Sequence, residues 1–180
     1  MAYYATIVTT LGILAILAVA LGIKLMIALA VPSWRAWLRE VLLGQERHVI
    51  GWAWGVALIA MAGSLYFSDV AHLSPCLLCW YQRIAMYPLV FVLGVGLVRT
   101  EPSVWRYGLP LAVVGLAIAA YHVTIQWMPS LDVGACSVGA PCSGRYLAVF
   151  GFISIPTLAG AAFLLIISLL LLLRALEREG

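Results

Sequence analysis

Charge is what this sequence most lacks. Only 9% of its 180 residues are Asp, Glu, Lys or Arg, whereas 65% are hydrophobic. A soluble domain carries about 25% charged and about 45–50% apolar residues, and a soluble core of this length could not hide so much apolar surface. Most of the chain must therefore be solvated by lipid. The net charge of +3 is then no sign of a nucleic-acid partner, and we expect none.

Internal repeats are also missing, and five long apolar runs divide the sequence instead. They cover Ala5–Val31, Val49–Phe67, Leu77–Val98, Tyr107–Met128 and Gly151–Leu173. A helix needs roughly 20 residues to cross the hydrocarbon core of a bilayer, so each run can span it. We predict an all-α membrane protein: a four-helix transmembrane bundle, one extra N-terminal transmembrane helix and a short interfacial amphipathic helix.

The N-terminal run lacks the features of a signal peptide. No Lys or Arg precedes it, and it is too long for the apolar region of a signal. Residues 28–30 faintly resemble a cleavage site, but we expect a retained helix. The next stretch, 33–46, interleaves charged residues with tryptophans and leucines. That pattern predicts a short amphipathic helix at the cytoplasmic interface.

Basic residues are scarce on one side of the predicted membrane. Only Arg83 and Arg145 fall there. Eight of the ten fall on the other side: Lys24, Arg35, Arg39, Arg47, Arg99, Arg106, Arg174 and Arg178. The positive-inside rule then places the C-terminus in the cytoplasm. It places the N-terminus and the loops at about 68–78 and 129–150 outside.

Three cysteines lie in those two loops, and the fourth, Cys79, follows the first loop directly, so none falls on the cytoplasmic side. All four are therefore expected in a compartment that permits disulfides. The first pair, Cys76 and Cys79, opens the third run. Its charge-free part, Ile84–Val98, has only 15 residues, so the helix must draw Arg83 into membrane depth. An ionisable group there is a functional-site candidate.

Each cysteine pair has a predicted chemistry. On a helix, Cys79 and Arg83 are at i and i+4 and share a face. The arginine and the helix N-terminus then favour a thiolate at Cys79, unless Arg83 merely extends to the interface. A disulfide between Cys136 and Cys142 would close a short ring and stabilise little. We expect an exposed bond suited to exchange. The alternatives are a structural clip of the loop, or a bridge from Cys136 or Cys142 back to the first pair.

Polar residues also mark the fourth run. His122 and Gln126 lie at i and i+4 near its outer end and could point into the bundle to bond the carbonyl of a flat apolar ligand. Alternatively, the histidine bonds a neighbouring helix. Zinc held by the four cysteines and haem held by His72 and His122 are less favoured. The second cysteine spacing is C-x5-C, and no second histidine pair lies across the bilayer.

Four separated motifs resemble the DsbB/BdbC family of disulfide-bond formation membrane proteins. They are CLLCWYQRIAMYPL at 76–89, YHVTIQ at 121–126, the two-cysteine outer loop and GFISIPTLAG at 151–160. The resemblance implies a DsbB-like four-helix redox domain at 47–175. It leaves an extra helix and amphipathic segment at 1–46 and a cytoplasmic tail at 176–180. Gln82 departs from the pattern, since many members have Glu there.

The resemblance implies a thiol:quinone oxidoreductase of the bacterial cytoplasmic membrane. A DsbA-like thioredoxin-fold partner would attack Cys136 and release Cys142, and electrons would pass through Cys76 and Cys79 to ubiquinone or menaquinone. The implied catalytic residues are Cys76, Cys79, Cys136, Cys142 and Arg83, and the quinone-binding residues are Cys79, Arg83, His122 and Gln126. A reductase resembling vitamin K epoxide reductase, where the outer pair generally comes first, is one alternative. A non-enzymatic subunit with structural disulfides is another.

Overall fold

The computed structural model describes residues 2–132, 136 and 141–177, and most of them are helical. Six α-helices follow one another: α1 (Ala2–Ala30), α2 (Pro32–Leu42), α3 (Glu46–Leu65), α4 (Leu77–Arg99), α5 (Trp105–Trp127) and α6 (Ile155–Glu177). All but α2 are long and apolar enough to cross a membrane. The predicted fold class, with its extra N-terminal span and short amphipathic helix, is confirmed.

Helix boundaries follow local backbone chemistry. A π-helical turn, Tyr66–Val70, extends α3. At α4, Cys76 is the extended N-cap residue, so the helix begins at Leu77. We predicted that the fifth span begins at Gly151, but α6 begins four residues later, at Ile155. Phe150 and Gly151 take positive φ angles of 53° and 80°, and this left-handed turn cannot be part of a right-handed helix.

The core lies between α3, α4, α5 and α6, and α6 is the most buried of the five spans. Its Phe163 is fully buried. The Phe163 ring lies against Gly115 of α5, where any added side chain would collide with it. Glycine at this position therefore lets the two helices approach closely. Burying one such aromatic side chain contributes about 1.5–3 kcal/mol.

The extra helix α1 packs along the outside of α6. Gly22 brings its backbone next to Leu164 of α6. Near its start, Val8 is buried in a small cluster with Phe67 and Val149. Most of the remaining α1 side chains are exposed. The amphipathic α2 buries no residue, which is consistent with a helix at an interface, but its place relative to a membrane stays a prediction.

Both cysteine pairs lie at one end of the bundle, which we call the cysteine end. It contains the starts of α4 and α6 and the end of α5. At the opposite end, Glu177 of α6 accepts hydrogen bonds from Trp105 and Arg106 of α5. The side of the membrane that the cysteine end faces stays a prediction.

Candidate active site

The inner pair consists of Cys76 and Cys79 and lies across the first turn of α4. Their sulfur atoms are 3.1 Å apart and share a hydrogen bond. Cys76 is buried, and Cys79 is half-buried. Both are free thiols. The C-x-x-C spacing produces this geometry because residues three apart on a helix lie on one face.

The outer pair, Cys136 and Cys142, forms a disulfide with its Cα atoms 5.7 Å apart. We expected an exposed bond, and this expectation is wrong. Cys136 is only 8% exposed and Cys142 only 1%. The two residues pack with Leu78 and Ile125 in a small apolar cluster that also includes Cys76. The two cysteine pairs are therefore neighbours in one buried group.

His122 contacts both pairs. Its Nδ1 atom accepts a hydrogen bond from the Gln82 amide at 3.0 Å, which leaves the ring proton on Nε2. That Nε2 atom donates to the Cys142 carbonyl oxygen at 3.1 Å and lies 3.6 Å from the Cys76 sulfur. The histidine is 2% exposed. It points into the bundle as expected, and its contact with a ligand stays a prediction.

The Cys76 thiol has an altered acidity. The hydrogen bond from Cys79 and the nearby His122 ring lower the pKa of Cys76 and outweigh the opposing effect of its burial. Thiolate rather than thiol is the nucleophile in disulfide chemistry. The inner pair is therefore equipped to react once it is reduced.

Arg83 lies one turn beyond Cys79 and is bound within the protein. Its guanidinium donates to the Ser64 carbonyl oxygen of α3 at 2.9 Å. The same group lies 5.2 Å from the centre of the Trp80 ring. The side chain is half-buried. One hydrogen bond uses one of five guanidinium donors, so the group keeps donors for a ligand.

Gln126 is held by the chain that precedes α6. Its amide oxygen accepts a hydrogen bond from the Ser154 hydroxyl at 2.7 Å, and its amide nitrogen donates to the Gly144 carbonyl oxygen at 3.3 Å. These bonds connect the end of α5 to the segment after Cys142. A role for Gln126 in binding a ligand stays a prediction.

A cavity of about 400 Å³ begins at the inner pair. Its polar lining near the cysteine end includes Cys76, Cys79, Gln82, Arg83, His122 and Gln126. The rest of its wall is mostly apolar and comes from α1, α3 and α6. An apolar pocket with a few convergent polar groups is the usual form of a small-molecule site. The structure thus brings five of the seven predicted catalytic and binding residues to one cavity, next to the outer pair.

Comparison with known proteins assigns the family. The family described as "Disulfide bond formation protein DsbB" matches residues 46–173. The chain belongs to the DsbB family. It is 50% identical over 125 residues to "Probable disulfide formation protein C 2" of Bacillus anthracis, which covers 69% of this chain and 89% of that protein. It is 48% identical over 128 residues to "Disulfide bond formation protein C" of Bacillus subtilis (strain 168), covering 71% and 93%. No solved structure matches.

Membership of the DsbB family makes this chain a disulfide-forming oxidoreductase of the membrane. The alternatives of a vitamin K epoxide reductase-like enzyme and of a purely structural subunit are therefore set aside. The family match leaves out α1 and α2. It includes every cysteine and all the polar residues that line the cavity near the inner pair.

Sequence reasoning missed three residues of this DsbB-family site. Gln82 orients His122, Ser64 binds Arg83 and Ser154 binds Gln126. One signal pointed to Gln82, which is a polar residue in an apolar span, three positions after Cys79 and therefore on the same face. The two serines gave no signal because their partners come from distant parts of the sequence.

A metal ion is the remaining alternative for the inner pair. Ligand atoms of Cys76, Cys79 and His122 lie within 4.8 Å of one another, and two thiolates with an imidazole suit zinc. The four-cysteine zinc site considered from the sequence does not form, because Cys136 and Cys142 are bonded to each other. Family membership favours redox chemistry for the remaining groups.

Proposed function

We propose that this DsbB-family chain is a thiol:quinone oxidoreductase that regenerates the disulfide of a DsbA-like partner. One observation carries the proposal. His122 contacts both cysteine pairs, while Cys79 and Arg83 line a largely apolar cavity. A connected path therefore runs from the outer disulfide to a site suited to a lipid-soluble acceptor.

The first step exchanges disulfides with the partner. A partner thiolate attacks one sulfur of the outer disulfide, and the other sulfur leaves as a thiolate. We assign the attack to Cys136, the more exposed of the two at 8% against 1%. The partner's second thiol then displaces Cys136. The partner leaves oxidised, and Cys136 and Cys142 become a dithiol.

The second step moves two electrons to the inner pair. An outer thiolate attacks Cys76 of an inner disulfide, and Cys79 leaves with its charge near Arg83. The second outer thiol then displaces Cys76, which re-forms the outer disulfide. The Nε2 proton of His122, 3.6 Å from the Cys76 sulfur, can stabilise that leaving thiolate. The product of this transfer is an outer disulfide with an inner dithiol, the same pairing of the four cysteines that the structure has.

In the third step the inner dithiol is oxidised. A bound quinone would accept its two electrons together with two protons. The residues present fit such a group. Cys79 is half-buried and lines the cavity, so its sulfur can reach a ring placed there. Arg83 keeps unused donors that can bond a carbonyl oxygen or stabilise its negative charge. The inner thiols become a disulfide again.

The proposed location is the cytoplasmic membrane of a bacterium, with the cysteine end outside. Basic residues concentrate toward the opposite end, which supports this orientation under the positive-inside rule. Disulfide exchange also requires a compartment that is not kept reducing.

Purified chain in detergent provides the test. Reduced thioredoxin-fold partner is added with a ubiquinone or a menaquinone analogue, and quinone absorbance and partner thiols are followed together. We expect one quinone reduced for each partner disulfide formed, over many turnovers. An already oxidised partner is the control and should give no quinone reduction. Partner oxidation that stops after one equivalent, with quinone unchanged, would contradict the proposal.

A further inference from the structure

The cavity at the inner pair has a wall that the family match does not include. On α1 the lining residues are Leu11, Leu14, Ala15, Leu17, Ala18 and Leu21, and α1 lies outside residues 46–173. The facing wall comes from α3, with Val56 and Ile59 among its residues. An added helix therefore converts one side of the four-helix bundle into a walled cavity.

Packing contacts on both sides of α1 hold this helix beside the cavity. Gly12 and Gly22 place its backbone against Val149 and Leu164. Near the cysteine end, the Leu11 side chain approaches Gly63 of α3. Farther along, the cavity occupies the space between α1 and α3. From Leu11 to Leu21 the helix advances ~15 Å at ~1.5 Å per residue, so the cavity reaches deep into the span.

The chemistry of the cavity changes along this depth. Arg83 and Cys79 line the cysteine end, whereas the α1 face is wholly apolar. Leu14, Leu17 and Leu21 are also 43%, 59% and 48% exposed, which leaves apolar surface open beside the cavity. An occupant that matches this arrangement has a reactive polar head and a long apolar chain behind it.

We propose that α1 is the outer wall of the acceptor site and selects quinones by their apolar tail. The inference rests on the proposed reduction of a quinone and names the part of the molecule that α1 recognises. The head lies at Cys79 and Arg83, and the isoprenoid tail runs between α1 and α3. A lipid acyl chain or a helix of a second copy in the same space would give different outcomes in the test below.

The test compares quinones that share one head but carry either a single isoprene unit or several. Ala18→Phe places a ring in the cavity wall, and Ala20→Phe adds the same ring to an exposed position of α1 that does not line the cavity. We expect Ala18→Phe to raise the KM for the long-tailed quinone about tenfold. The KM for the short-tailed quinone should not change, and Ala20→Phe should change neither.

A gentler pair of variants covers the case in which Ala18→Phe fails to fold, which loss of turnover with the short-tailed quinone would reveal. Leu17→Ala removes apolar surface from the cavity wall, and Ile16→Ala removes it from an exposed position outside the cavity. We expect a KM about threefold higher for the long tail in Leu17→Ala alone. The proposal would be overturned if Leu17→Ala changed the KM equally for the long-tailed and the short-tailed quinone. It would also be overturned if neither Leu17→Ala nor Ile16→Ala changed the KM.

Photolabelling gives a readout that is independent of turnover. A quinone with a diazirine at the end of its tail should label peptides of α1 and α3, with less label on α1 in Ala18→Phe. Label on other helices alone, or a membrane-inserted protein that begins after Ala30, would overturn the proposal. If neither quinone is reduced by the unaltered chain, the proposed function fails, and the labelling pattern still decides whether α1 forms the wall.

Discussion

The two cysteine pairs differ in the structure that holds them. The inner pair lies across the first turn of α4, so the helix backbone fixes the distance between its sulfurs. The outer pair lies in the segment between α5 and α6, outside any α-helix. Only the inner pair lines the cavity. One pair is thus attached to a rigid element beside a small-molecule site, and the other to a connecting segment.

This difference matches the sizes of the two proposed reaction partners. A small acceptor requires reacting atoms held in a fixed geometry, which helices provide better than loops. A folded protein requires a disulfide that can be brought to its surface, and connecting segments are where such contacts usually occur. Because the outer pair is buried, its reaction with a partner requires local exposure. The comparison predicts that variants of the two pairs fail at different steps.

The largest expected effect is loss of all quinone reduction in Cys79→Ser. Serine cannot re-form the inner disulfide, so electrons cannot leave the protein. The outer disulfide remains, and one equivalent of partner should still be oxidised. Stopped-flow quinone absorbance with partner thiol counting measures both. Continued turnover would show that Cys79 is not the sulfur on the quinone side.

Cys136→Ala should fail at the disulfide exchange with the partner. Without the attacked sulfur, no mixed disulfide with the partner forms, while Cys76 and Cys79 remain in place to transfer electrons to quinone from a small dithiol. The matched variant Cys142→Ala keeps the Cys136 thiol, which should attack the disulfide of an oxidised partner and form the mixed disulfide as the partner's second sulfur leaves as a thiolate. Non-reducing electrophoresis detects the adduct. An adduct in Cys136→Ala would move the attack to Cys142.

Sequence reasoning succeeded where one helix alone determines the geometry. The spans, the shared face of Cys79 and Arg83, and the inward direction of His122 all follow from helical spacing and apolar runs. It failed where distant segments meet. The burial of the outer disulfide depends on Leu78 of α4 and Ile125 of α5, and no local pattern contains that information. The wall formed by α1 depends on tertiary packing in the same way.

Arg83→His should weaken the inner site without touching the outer one. A shorter side chain loses the reach to Ser64 and the fixed positive charge beside Cys79, and a charge-assisted hydrogen bond is worth about 1.5–3 kcal/mol. We expect the KM for quinone to rise about tenfold, with the rate of mixed-disulfide formation unchanged. Arg99→His, at the opposite end of α4, is the matched control. An unchanged KM would reduce Arg83 to a membrane anchor.

The smallest expected effect concerns the link between the two pairs. Gln82→Leu removes the donor to His122 Nδ1, so the ring proton is no longer held on Nε2, where it faces Cys142 and Cys76. One neutral buried hydrogen bond contributes about 1 kcal/mol. We therefore expect kcat to fall about fivefold, while the KM values for partner and quinone stay the same.

Gln82→Glu separates this positioning role from simple loss of packing. Its carboxylate has the same length but accepts a hydrogen bond from Nδ1, so the ring keeps its Nε2 proton only when both ring nitrogens are protonated. In that form turnover should remain near the unaltered rate, with a changed pH profile. Single-turnover mixing localises the defect of Gln82→Leu. Reduction of the inner pair by the outer pair should slow, while transfer from the inner pair to quinone should not. If both transfers slow equally, His122 supports the structure of the whole cysteine end. The two pairs would then be less independent in function than their geometry indicates.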